Sequence, residues 1–311
     1  MSKTAKDPAE FILPLYMNGL SGRMIKMPAP KNKKREILLI AGHHTSHERM
    51  FGLAAYLNRY GSVTSPDLPG FGGMEPFYKI GEKPTLDNLA DYLAAFIKFR
   101  YRNRRYTIMA ISVGFSIVTR MLQRYPAMAK NIDLLISVSG FVDAEAFLWK
   151  PYNHFILLNA TRLFSLRPVA SFIKHVCLRG PVIKSLYAFA EAKHPKLKDA
   201  NPSERKERLD FEINLWKIND FRTYSAVGVW MLTGKAAKEH VNLEVYHVAV
   251  DDDHYFDHLL VEQHMRRIYK DFHLIGTKLP AHAPTVLATA EDVLPFVPRK
   301  IRNLLKQGSR K

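Results

Sequence analysis

The chain has 311 residues, 47% hydrophobic and 24% charged, enough for one large core and inconsistent with extensive disorder. A single cysteine, Cys177, excludes an internal disulfide and any paired-cysteine metal or redox site. Lys and Arg number 46 against 29 Asp and Glu, and the formal charge of +17 favours acidic partners, such as phospholipid surfaces or anionic substrates.

The segment Met1 to Glu10 is polar, and the apolar run Phe11 to Leu20 is broken by Pro14 and Asn18, so it does not read as a secretory signal. No stretch approaches the roughly 18–20 apolar residues of a membrane span, and the expected location is cytoplasmic. Glu10 to Met27 reads as two strands about the turn Asn18-Gly19. The apolar run Glu36 to Ala41 ends at Gly42, as in a strand covered on both faces. His47 to Tyr60 has helical spacing, and Ser62 to Ser65 is a short strand leading into the turn-rich stretch Pro66 to Gly73. A helix starts near Thr85, and Tyr106 to Ile111 is a buried strand. A helix from Val113 to Tyr125 and a strand from Ile132 to Ser139 follow. This alternation predicts parallel strands joined by crossover helices.

From Asp143 to Lys235 the alternation gives way to aromatic and aliphatic residues at loose helical spacing. It resumes with a strand at Leu243 to Val250, a helix at Phe256 to Tyr269, a strand at Phe272 to Thr277 and a closing helix at Glu291 to Lys306. The expected organisation is an α/β core of residues 1–142 and 236–311, with 143–235 inserted as a helical cap.

A serine hydroxyl becomes a nucleophile when a base takes its proton, a third group orients that base, and N–H donors await the oxyanion. Ser112 lies between a strand and a helix, in Ala110-Ile111-Ser112-Val113-Gly114. A strand-to-helix turn that tight requires small residues two positions away on either side, and Ala110 and Gly114 meet that need. The competing reading is a serine that merely caps a helix. The N–H groups of His43 and Val113 are the candidate oxyanion donors, with Gly42 and His44 lining the pocket. His43 and His47 are four apart, as in some metal sites, but no metalloprotease-type glutamate accompanies them, and no metal or other cofactor is expected. Acid candidates cluster at Asp251-Asp252-Asp253, with Asp257 further on and Asp143 as a weaker alternative. His282, in the loop after the last strand, is the candidate base.

Over almost its whole length the sequence resembles the α/β-hydrolase superfamily. Ile37 to His43 is similar to the family's strand and oxyanion loop, Asp67-Leu68-Pro69-Gly70-Phe71-Gly72 to its Asp-x-x-Gly-x-Gly turn, and Ala110 to Gly114 to its nucleophile elbow. Leu279 to Pro295 resembles its histidine loop, and nucleophile, acid and histidine follow in the family's order. The family spacing Gly-x-x-Asp, with Val250 at the glycine, implies Asp253 as the acid and Asp251 as its alternative. The resemblance implies a Ser-His-Asp hydrolase with a helical cap. A serine nucleophile points to esterases, lipases, peptidases and carbon–carbon bond hydrolases, and away from dehalogenases and epoxide hydrolases.

The expected substrate is a small acyl compound, hydrophobic or lipid-derived. Arg162, Arg167, Lys174, Arg179 and Lys184 interleave with apolar positions in the cap, and basic residues do so in the tail Phe296 to Lys311, a pattern suited to anionic membranes. The different-class reading is a non-catalytic protein that binds a hydrophobic ligand beneath the cap. Nucleic acid is not expected, because no recognition motif accompanies the charge.

Overall fold

The computed structural model describes residues 7–183, 185, 202–235, 239–250, 255–278 and 293–307. Eight strands form one sheet: β1 (Ile12–Met17), β2 (Leu20–Met27), β3 (Arg35–Ile40), β4 (Gly61–Pro66), β5 (Tyr106–Ile111), β6 (Ile132–Val138), β7 (Val241–Val250) and β8 (Tyr269–Thr277). Their order is β1-β2-β4-β3-β5-β6-β7-β8, antiparallel through β2 and parallel from β4 onward. The β1–β2 hairpin turns on Asn18 and Gly19, both at positive φ, as a tight hairpin requires.

Side chains alternate across a strand, so the continuous apolar runs fill two cores. Leu38, Ile40, Ile108 and Ala110 face one layer, formed by α2 (Leu86–Tyr101), α3 (Val113–Arg124) and α8 (His258–Ile268). Ile37, Leu39, Met109 and Ile111 face the other, formed by α1 (His47–Leu57) and α9 (Arg299–Lys306). The Thr85 side chain accepts the Asn88 N–H at 3.1 Å and caps α2, as its sequence suggests. Asp257 accepts the N–H groups of Leu259 and Leu260 and caps α8, which accounts for that carboxylate.

Between β6 and β7 the described chain is helical: α4 (Pro151–Phe164), α5 (Arg167–Phe172) continuing through a π-turn at Ile173–Cys177, α6 (Pro202–Ile218) and α7 (Phe221–Thr233). Where a closing helix over 291–306 is expected, the described residues from Val293 on form a 3-10 turn, Leu294–Phe296, followed by the shorter α9. Pro298 is the cause: it pushes Val297 out of the helical region, to φ −128° and ψ 68°. No described helix is long and apolar enough to cross a membrane.

Candidate active site

Strand register sets the stage. Ile40 pairs with Ala110, Ile111 with Val138, Val138 with Val248, and Val250 with Thr277. The carboxyl ends of β3, β5, β6, β7 and β8 therefore share one sheet edge. Gly42 and Ser112 follow two of these ends within the described residues. The segments that carry Asp251, Asp253 and His282 follow two others, and those three residues lie outside the described residues.

Ser112 is the single residue between β5 and α3, at φ 50° and ψ −124°, a region that a residue with a Cβ rarely occupies. Its side chain makes no capping hydrogen bond to α3, so the helix-cap reading fails. The turn is pinned from below by the Ser112 N–H, which donates to the Val138 carbonyl at 2.9 Å. A Cβ on Gly114 would run into the Ala41 carbonyl oxygen, and one on Gly42 would lie 3.3 Å from Ser112 Cβ. The loop after β3 and the elbow after β5 thus press together backbone to backbone, which the two glycines permit. Alanine is tolerated at 110 because its methyl group points into the first core. Val113 and Gly114 open α3, where the first N–H groups have no intrahelical acceptor and favour negative charge.

His43 and His44 of the preceding loop and His47 at the start of α1 go to three different partners. His43 Nε2 donates to the Tyr224 carbonyl at 2.9 Å, and its ring stacks on Tyr224 with centroids 4.2 Å apart. Burial pushes its pKa down to about 4, so the ring is neutral at physiological pH. His44, at φ 52°, lies against Trp216 with ring centroids 4.0 Å apart, and its Nδ1 is 3.1 Å from Asn219 Nδ2. Asn219 Oδ1 already accepts the Gly72 N–H at 2.7 Å, so its amide group donates to His44 Nδ1. The His44 proton therefore sits on Nε2. His47 Nε2 lies 3.2 Å from Asp67 Oδ1, and burial lowers the His47 pKa to about 4.

Asp67 organises the turn after β4. Its buried carboxyl lies beside His47 and 3.6 Å from Arg23 Nε, and desolvation holds its pKa well above the usual carboxylate range. Gly72, at φ 63°, has no room for a Cβ because the Asp67 carboxyl fills that space. Arg23 reaches the Gly72 carbonyl and pairs with Glu48 at 2.7 Å, tying the turn to β2 and α1. Asp143, the weaker acid candidate, accepts the Glu145 N–H at 2.9 Å and caps a 3-10 turn.

Sequence reasoning missed the residues that join the helices to this edge. Asn219 is buried and links the turn at Gly72 to His44. The Arg49 guanidinium pairs with the buried Glu212 of α6, and the Asp220 N–H donates to the Gly70 carbonyl at 2.8 Å. Asp220 carries a visible helix-start signal, since it caps α7 through the Thr223 N–H. No local pattern pairs Asn219 with a glycine so distant in sequence.

No protein-family model matches the sequence, and no curated protein matches it. Solved structures are similar along nearly their whole length. The epoxide hydrolase CorEH, without ligand, has a TM-score of 0.64 at 12% identity, covering 95% of this chain and 97% of that one. The N-acyl homoserine lactonase AidH, in a mutant form complexed with N-hexanoyl homoserine, has a TM-score of 0.62 at 15% identity, covering 96% and 99%. A thermophilic esterase from Thermogutta terrifontis has a TM-score of 0.58 at 15% identity, covering 95% and 98%. Sheet order, elbow and these similarities agree: the chain has the α/β-hydrolase fold.

Proposed function

We propose that the chain is a serine hydrolase that cleaves a carboxylic ester or related acyl bond of a hydrophobic, lipid-derived substrate. The observation that carries this reading is the backbone of Ser112: a non-glycine residue held at φ 50° on a strand-to-helix turn, its hydroxyl not engaged in capping. Strain of that kind persists only where the surroundings enforce it, and here it presents the hydroxyl at the sheet edge next to a helix N-terminus.

In the proposed reaction His282 takes the Ser112 Oγ proton as Oγ bonds to the acyl carbon. Asp253, or Asp251 in its place, orients the imidazole. The carbonyl oxygen becomes an oxyanion held by the N–H groups of Val113 and His43. Collapse breaks the carbon–oxygen bond to the leaving alcohol, which takes the proton from His282 and leaves an acyl-enzyme. Water, deprotonated by His282, then releases the acid and restores the serine. No step draws on a metal or an organic cofactor. Residues 143–235 act as the cap, with His44, Gly42 and the rings of Trp216 and Tyr224 at its junction with the core. A serine at the elbow favours acyl chemistry over the epoxide opening named for CorEH.

Turnover of p-nitrophenyl esters of increasing acyl length tests the reading. The expected result is hydrolysis that falls at least about 10³-fold in Ser112→Ala and His282→Ala. Unchanged turnover in Ser112→Ala contradicts it, and ligand binding without turnover points to the binding protein instead.

A further inference from the structure

The helix α4 places polar residues at two of its inner positions, beside Phe164 on Phe221, and large apolar residues on its outer face. Its polar inner positions meet α7: His154 Nε2 lies 2.8 Å from the Leu232 carbonyl, and buried Thr161 packs against Gly228. Its outer face is largely apolar, with Asn159 as its polar member. Tyr152, Phe155 and Ile156 are 62%, 68% and 61% exposed, and Leu163 continues the same face one to two turns on. Leu166 and Phe172, the latter 61% exposed, extend the apolar surface onto α5. Contiguous exposure of large apolar side chains on one element is uncommon for a solvated surface.

The charge around this face has one sign. Residues 146–190 contain no Asp or Glu at all, whereas Lys150, Arg162, Arg167 and Arg179 are exposed within them. Elsewhere some basic side chains have acidic partners: Arg120 pairs with Asp87, Arg124 with Asp87 and Asp91, and Arg104 with Glu36. Acidic residues are thus available across the core and withheld from the helices with bare apolar faces. A protein partner would bury such a face with or without charge. A bilayer surface needs both features at once, apolar side chains that enter the acyl boundary and cations at headgroup level.

We infer that the outer face of α4 and α5 docks on the surface of a bilayer containing anionic phospholipid. The tail named beside it in the sequence does not share this role: Phe296, Val297, Ile301 and Leu305 are buried in the second core. The docking surface does not include Ser112 and does not depend on the proposed reaction.

Sedimentation with vesicles of phosphatidylcholine, alone and mixed with phosphatidylglycerol, tests the inference on the full chain. The expected result is binding to mixed vesicles that weakens with salt and is at least about tenfold weaker in both Phe155→Ser/Ile156→Ser and Arg162→Glu/Arg167→Glu. Ser112→Ala is expected to bind as the wild type does, which separates this outcome from failure of the hydrolase reading. The substituted side chains are exposed, so circular dichroism is expected to show unchanged folding. Absence of binding to mixed vesicles overturns the inference. Binding that survives either double substitution also overturns it, because charge elsewhere then suffices. So does a concentration-dependent dimer that Phe155→Ser/Ile156→Ser dissolves while vesicles stay unbound.

Discussion

At the carboxyl edge of the sheet, side chains are small, buried and tightly determined, whereas on the outer face of α4 they are large, apolar and exposed. Gly42, Gly114 and Ala110 are small because backbone or core occupies the space beside them. Tyr152, Phe155 and Ile156 have no such neighbours. The difference teaches that hydrophobicity in this chain serves two purposes. In the core it places the strained serine, and on α4 it stays exposed.

Substitutions separate the two regions sharply. The largest effect is expected at Ser112. Ser112→Gly removes turnover by at least about 10³-fold, yet it relieves positive-φ strain and raises unfolding free energy by about 1 kcal/mol in urea titrations. A loss of stability there would break the claim that the elbow is strained.

Acid titration probes the buried histidines at the same edge. Unfolded histidine takes up a proton near pH 6.5, whereas folded His43 and His47 do so only near 4. Between these values the unfolded chain binds more protons, so stability falls as pH drops from 6.5 to 4, by up to about 3 kcal/mol per histidine. His43→Gln is expected to show a shallower decline in chemical denaturation across that window. An identical slope would mean that His43 is not desolvated as described.

Gly114→Ala forces a methyl group against the Ala41 carbonyl and is expected to cost about 1–3 kcal/mol in urea unfolding. Asn219→Ala leaves the buried Gly72 N–H without its acceptor and removes the donor to His44, for a similar or slightly smaller loss of about 1–2 kcal/mol. Asn219→Asp tests the tautomer of His44, because a carboxylate cannot donate to Nδ1, and it is not expected to restore stability. The smallest effect belongs to the other region: Phe155→Ser is expected to change stability by no more than about 0.5 kcal/mol. A large loss would mean that Phe155 packs against the fold and is unavailable to a partner.

Much of the edge was legible because its signals are local. The strand runs, the Asn18-Gly19 turn, the Thr85 cap and the elbow at Ser112 each follow from a few adjacent residues. The broken closing helix is legible too, in Pro295 and Pro298, although the apolar spacing continues across them. Asn219 and the Arg49–Glu212 pair were not legible, since each acts across the junction between two parts of the chain. The outward face of α4 was hidden for a different reason. Periodicity identifies an apolar stripe but not what it faces, and only the contacts of His154, Thr161 and Phe164 with α7 show which side of α4 is inside.

Fluorophosphonate labelling of the folded chain, followed by mass mapping of the modified peptide, tests the central claim most directly. The expected result is one adduct on Ser112, abolished in Ser112→Ala and slowed in His282→Ala. A folded wild-type chain that takes no label, or takes it at another residue, would contradict the assignment of Ser112 as an activated nucleophile.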